Sequence, residues 1–333
     1  MSKQKTVVLT ALYMNNYSGS VFVVSEFAMY FANLGYKVYI FTFHKDKKVV
    51  QSMCNSKNVK VINIKKRWVL PKIRADLMMG LHCDVFDTIM KSRRITGDKI
   101  VYFSLSPYDN AERIPAYYDK FTKIYCNSWE TAKIRSAEVS NYQLDIFNNS
   151  VAPEFIKNRK LSYNKNLKKV AVVSNHGVFL PGSDFHKHAL TAGLDITFFG
   201  IQSENSKKIT PDDLLDFDVI ISIGRTVQYA LCLGIPVFCY DRFGGPGYIT
   251  LDNWADMEKM NYSGRKKPIS NKDFDNSLIK NLDAKSIIDD LINGYPAVLK
   301  DVEQLRKIAV ERYDLYKNLD NLMCDIGEEC NAK

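Results

Sequence analysis

The chain has 333 residues, 46% hydrophobic and 25% charged, with 46 Lys+Arg against 37 Asp+Glu for a formal charge of +9. That balance excludes disordered, fibrous and collagen-like classes, and the length fits two domains of ~100–200 residues each. The basic excess favours an anionic partner such as a nucleotide, a phospholipid surface or nucleic acid, without choosing among them.

The start, MSKQKTVVLT, has no apolar stretch directly behind its lysines, and the longest apolar runs are broken by Glu26 and Arg225. Neither a secretory signal nor a spanning segment of ~20 residues is expected. The seven cysteines, at positions 54, 83, 126, 232, 239, 324 and 330, are odd in number and form no CxxC pair. Reduced, mostly buried thiols in a cytoplasmic protein are the simplest reading.

Val7-Val8-Leu9-Thr10 opens as a strand, and the turn-forming run Asn15 to Ser20 follows it. Val21 to Leu34 has helical spacing and stops at Gly35, and Val38 to Phe41 is the next strand. This is a βαβ unit, which implies a parallel sheet. Ile100–Phe103 is a further strand, and the polar stretch Lys157–Lys169 reads as a linker. The same grammar restarts with Val170 to Val173, the loop Asn175-His176-Gly177, a helix near Phe185–Ala192 and a strand at Ile196–Phe199. A third unit has the strand Asp218 to Ser222, then Gly224-Arg225-Thr226, a helix to Leu233, Gly234, and the strand Pro236 to Tyr240. Ser263–Ser277 reads as an exposed basic loop, and Val302, Leu305, Ile308, Leu315, Leu319, Leu322 and Ile326 form one helical stripe. The predicted class is α/β, with two facing Rossmann-like domains at 1–160 and 161–300 and a C-terminal bracing helix at 301–333.

Ligands of open α/β sheets bind beyond the carboxyl ends of the strands, where helix N-termini attract anions. Four loops qualify. Ser18-Gly19-Ser20 starts the first helix and is assigned to the acceptor side, and it contains no GxGxxG. Gly224, Arg225 and Thr226 make the strongest phosphate-binding candidate, through close backbone approach, free amides and a charge-assisted bond. Asp241, Arg242, Gly244 and Gly245 follow the next strand with the backbone freedom to wrap a ligand. Asn175, His176 and Gly177 complete the donor-binding set. For a general base the candidates are Asp109 and then Glu112, just after the strand Ile100–Phe103. His82, Asp84 and Asp87 are the rival cluster, which reads equally as a solvated helix face. Adjacent residues rarely converge on one ion, so no metal site is expected. Lys65, Lys66, Arg67, Trp68, Lys72 and Arg74 read as a peripheral membrane contact, and no recognisable module supports nucleic-acid binding.

The opening loop with its helix EFAMYFANLGYKVYIFT resembles the start of nucleotide-sugar glycosyltransferases of the two-Rossmann, GT-B type. Thr226-Val227 followed by Ala230, Gly234 and Pro236-Val237 is similar to the donor-binding helix of that superfamily, as is Asp241 with its Gly-Gly pair. The resemblance implies a transferase with a nucleotide-sugar donor on the C-terminal domain and a glycan or lipid-linked acceptor on the N-terminal one. It implies a cytoplasmic enzyme of bacterial surface-polysaccharide synthesis, peripheral at the inner face of the membrane. Many retaining members carry two glutamates eight positions apart, and here those places hold Ile221 and Tyr229. An inverting, metal-independent reaction with no cofactor follows as the expectation. A nucleotide-sugar epimerase of the same shape and a non-catalytic accessory subunit are the alternatives.

Overall fold

The computed structural model describes residues 4–64, 70–176, 179–200, 203, 205–266 and 275–328. The chain divides into two compact units, Met1–Asn148 with Leu319–Lys333, and Asn149–Asn318.

The first unit runs β1 (Thr6–Met14), α1 (Gly19–Asn33), β2 (Lys37–Lys45), α2 (Lys47–Met53), β3 (Val59–Asn63), β4 (Ile73–Leu81), α3 (Cys83–Ser92), β5 (Ile95–Ser104), β6 (Lys123–Cys126), α4 (Trp129–Arg135) and β7 (Asp145–Ile146). Its seven strands lie in the order β3-β2-β1-β4-β5-β6-β7, all parallel. β1 and β4, neighbours but not consecutive, mark the point where the strand order reverses. They pair only over Val7–Leu9 and Leu77–Met79. Gly35 closes α1 at a φ of 84°, in the left-handed region that glycine adopts without steric cost, and Tyr36 N donates back to Phe31 O at 3.0 Å.

The second unit runs α5 (Pro153–Lys157), β8 (Lys169–Val173), α6 (Asp184–Thr191), β9 (Asp195–Phe199), α7 (Pro211–Leu214), β10 (Val219–Ser222), α8 (Arg225–Leu233), β11 (Val237–Asp241), β12 (Gly244–Tyr248), α9 (Trp254–Lys259), α10 (Ala284–Val298) and α11 (Val302–Tyr313). The sheet order is β12-β11-β10-β8-β9, parallel except for β12. Its order reverses at β8 and β10, whose ends are tied by Ser222 Oγ donating to Val173 O at 2.6 Å.

Three sequence expectations change. The first unit ends at Asn148, ahead of the stretch read as a linker, because Val151, Ala152 and Phe155 are buried in one core with α8, Leu305 and Tyr313. The C-terminal stripe is interrupted: Val151 N donates to Tyr313 O and Leu315 N to Val151 O, a strand-like exchange that stops the helix at Asp314. A new helix, α12 (Leu315–Asp325), then carries Leu319 onward into the first unit, where Lys5 and Lys99 both pair with Glu328. Finally, Cys324 is disulfide-bonded, against the reading of reduced thiols, whereas Cys54, Cys83, Cys126, Cys232 and Cys239 are buried thiols.

Candidate functional site

In the first unit a sealed polar cluster fills the reversal point. Thr10 Oγ1 donates to Leu81 O at 2.7 Å and accepts from Leu81 N at 2.8 Å, spanning the gap where β1 and β4 part. His82 follows with a φ of 65°, a left-handed conformation costly for a residue with a Cβ. Its Nδ1 accepts from Leu12 N at 3.1 Å, so the neutral ring carries its proton on Nε2, 3.2 Å from Glu112 Oε1. Both side chains are buried, at 7% and 4% exposure. Burial lowers the imidazole to about 4 and raises the Glu112 carboxyl to about 7. Between those values the two meet as neutral groups despite their ion-pair spacing.

Glu112 also receives Leu105 N at 2.9 Å and thereby fixes the loop after β5. The same loop is held by Asn127, which donates to Leu105 O, and by Arg135, which donates to Ser106 O and Asp109 O. Asp109 itself is exposed, with Oδ1 accepting from Ala111 N at 2.9 Å. The two base candidates therefore separate: Glu112 is interior and Asp109 stands at the surface of a braced loop. Asp84 is half paired to Arg113 at 3.0 Å and Asp87 accepts from Tyr117 OH at 2.6 Å, so the rival cluster splits, with His82 inward and the carboxylates outward. Ser18, Gly19 and Ser20 form the start of α1, and a Cβ on Gly19 would meet nothing within 4 Å.

The second unit gathers its candidates at the carboxyl ends of β8, β10 and β11. Asp241, the last residue of β11, is buried; its Oδ2 lies 2.6 Å from His176 Nδ1 and 3.0 Å from Ser174 Oγ, and Oδ1 accepts from Arg242 N at 2.8 Å. Asn175 lies against Gly200, whose φ of 135° and close approach to Ser174 O leave no space for a side chain. Gly224 precedes α8 at φ 61°, ψ −134°, a conformation open essentially to glycine alone, and its N–H donates to Tyr262 O at 2.9 Å. The first turn of α8 thus begins at the reversal point, where its amides suit an anion. Thr226 lies in that turn, partly exposed.

Arg225 makes contacts that the sequence reading did not assign. Its Nε donates to Tyr229 OH at 2.9 Å and its Nη2 to Ser150 O, and Tyr229 stacks on Phe155 with centroids 4.1 Å apart. The guanidinium is therefore a tie between α8 and the segment before α5. The same holds for the glycines Gly244 and Gly245. They are buried in β12, where a Cβ on Gly244 would come 2.3 Å from Lys280 O and one on Gly245 1.9 Å from Cys239 O. Backbone packing alone already requires glycine at both positions.

Between β11 and β12 the exposed hairpin tip carries Arg242, whose guanidinium lies 4.5 Å from the Phe243 ring. Arg265 lies 5.7 Å from the same ring, in the segment read as an exposed basic loop. Ser263 and Gly264, just before it, are drawn inward: Ser263 is buried, and a Cβ on Gly264 would come 2.5 Å from Gly244 O. Arg265, Phe243 and Ser174 were missed in the sequence; the charge of the Ser263–Ser277 segment was the one available signal. Gly177 and the stretch residues Lys65, Lys66, Arg67 and Trp68 lie outside the described residues. Of the remaining basic stretch, Lys72 is exposed and Arg74 pairs with Asp98 on β5 at 3.1 Å. Among the described residues, no group of three His, Cys, Asp or Glu side chains is placed to hold a metal ion, and no helix is long and apolar enough to cross a membrane.

No protein-family model matches the chain, and no curated protein matches it. Solved structures do. The chain is similar to a TarM mutant of S. aureus in complex with fondaparinux, alpha-GlcNAc-glycerol and UDP, at 10% identity over 98% of this chain and 100% of that one, with a TM-score of 0.62. It is similar to Anabaena HepE in complex with UDP and glucose, at 12% identity over 96% and 98% of the two chains and a TM-score of 0.56. The apo lipopolysaccharide outer core galactosyltransferase WaaB matches at 13% identity over 96% and 99%, with a TM-score of 0.50. At such identities the likeness is one of fold, and the fold is the two-Rossmann GT-B type.

Proposed function

We propose that the protein is a glycosyltransferase that moves a sugar from a nucleotide-sugar donor to a glycan or lipid-linked acceptor of a surface polysaccharide. The observation that carries this reading is the second unit's reversal point, where the Gly224 turn and α8 amides stand with the cationic, aromatic tip Arg242-Phe243 and with His176. Fixed amides and guanidinium groups are what a nucleoside diphosphate needs as it leaves with developing negative charge. The UDP complexes of TarM and HepE, built on the same fold, support that choice of ligand. The reaction is inverting and metal-independent in this reading. On the first unit Asp109 is the base for an acceptor hydroxyl; on the second, Arg242, Arg265 and the α8 amides receive the diphosphate that leaves as the acceptor oxygen attacks the anomeric carbon. The Lys65–Arg74 stretch supplies peripheral contact with an anionic membrane surface at the cytoplasmic face.

A thermal-shift series with UDP, GDP, CMP, ADP and dTDP tests the reading. A ligand at ~100 Kd adds about 2.7 kcal/mol, so one nucleotide class should raise the melting temperature selectively. Silence across all five sinks the donor assignment and leaves the accessory-subunit alternative standing. Release of the same nucleotide from its sugar conjugate, unaffected by EDTA, tests transfer without a metal.

A further inference from the structure

We propose that Asp241 is a positioning residue that holds His176 to meet the donor diphosphate through Nε2, so that nucleotide binding takes up a proton. The proposal rests on the nucleotide-sugar reading and deepens it.

Asp241 does not reach a ligand itself. Its side chain is 1% exposed, and its oxygens are taken by Ser174 Oγ, His176 Nδ1 and Arg242 N. These bonds cross the end of β10, the strand that leads into the Gly224 turn. A carboxylate facing Nδ1 at 2.6 Å places the ring proton there and leaves Nε2 as the outward atom of a side chain that is 31% exposed. In the neutral ring Nε2 is a lone pair, which repels a phosphate oxygen. In the imidazolium it is an N–H, which donates to one. An arriving diphosphate therefore selects the charged ring: one N–H goes to Asp241, the other to the anion, and one proton comes from solvent. Asp241 from β11 bonds the imidazole, the Phe243 ring of the hairpin tip has its centroid 6.5 Å from it, and the guanidinium groups of Arg242 and Arg265 lie 4.5 and 5.7 Å from that Phe243 ring.

Calorimetric titration of the full chain decides it, with UDP, GDP, ADP and dTDP as probes and the tightest carried forward. Titrations run between pH 7.5 and 8.5, above the second phosphate ionisation near ~6, so the ligand's own charge is constant. Buffers of different ionisation enthalpy read the protons taken up. In the wild type we expect uptake of a substantial fraction of one proton and a several-fold rise in Kd over that unit of pH, with tenfold as the ceiling. His176→Asn should bind with no uptake and a flat Kd. Asp241→Asn should show less uptake at the same pH and several-fold weaker binding. Zero uptake by the wild type, or wild-type uptake by His176→Asn, overturns the proposal. Full uptake by a folded Asp241→Asn removes Asp241's positioning role; if that variant does not fold, His176→Asn decides alone. If no diphosphate binds at all, the donor reading falls and takes this inference with it, a different result from binding without proton uptake.

Discussion

Both units place a histidine and a carboxylate where their strand order reverses, and burial gives the two pairs opposite characters. In the first unit His82 and Glu112 are sealed, with both ring nitrogens committed, one to Leu12 N and one to the carboxyl. In the second, only Asp241 is sealed and His176 keeps an outward edge. The sealed pair braces a loop and the open pair presents an atom. Residue types and their position in a Rossmann-like unit are therefore poor guides to chemistry until exposure is known.

The largest expected effect separates bracing from reaction. Asp109→Asn should cost ~10²–10⁴ in transfer rate and leave nucleotide affinity intact, because the exposed carboxylate is the proposed base. Near wild-type turnover by Asp109→Asn, with a folded Glu112→Gln inactive, would reverse the two roles.

Next comes the sealed pair's stability. Glu112→Ala strips the acceptor from His82 Nε2 and from Leu105 N, and each buried donor left unpaired costs ~1–3 kcal/mol. A melting temperature within a degree of wild type would contradict the sealed cluster.

Arg225→Ala and Arg242→Ala should divide in the same way within the second unit. Arg225 holds Ser150 and Tyr229, so its loss lowers the melting temperature, by ~1–3 kcal/mol of stability, with little change in Kd. Arg242 is exposed at the hairpin tip, so its loss should weaken the bound nucleotide about tenfold or more at unchanged melting temperature. The opposite pattern in calorimetry would put the donor phosphates at Arg225.

The effect that is smallest per unit of pH is also the most diagnostic. Between pH 4.5 and 6.5 the unfolded chain carries one proton on His82, and the folded chain carries one on Glu112, whose carboxyl is raised to about 7 while the imidazole is lowered to about 4. The proton counts match, so the pair contributes almost no slope of stability with pH. Removing one partner exposes the other. In His82→Asn the folded state holds the extra proton, so stability relative to wild type falls as pH rises from 4.5 through about 7. In Glu112→Gln the unfolded state holds it, so stability rises from about 4 to 6.5. Either slope is at most ~1.4 kcal/mol per pH unit. Parallel curves for the two variants in denaturant titrations would refute the sealed, neutral pair.

Much of the molecule was determined by the sequence. Val7 to Thr10, the α1 stretch ending at Gly35, and the repeat of that grammar from Val170 onward specify two parallel α/β units, because apolar period and glycine stops act locally. The loops that gather at the strand ends follow from the same grammar. What only the tertiary structure decided was the use of each loop residue. The glycines after β11 read as a ligand wrap, and the structure adds that Lys280 and Cys239 backbone presses on Gly244 and Gly245, from 36 and 6 positions away in the chain. Arg225 heads a helix in the sequence, but its partner Ser150 lies 75 positions upstream. Glu112 and Asp109 are three residues apart and chemically alike, and one is buried while the other is exposed. Hydrogen-bond partners, desolvation and close backbone approach are set by residues distant in sequence, and local pattern carries no record of them.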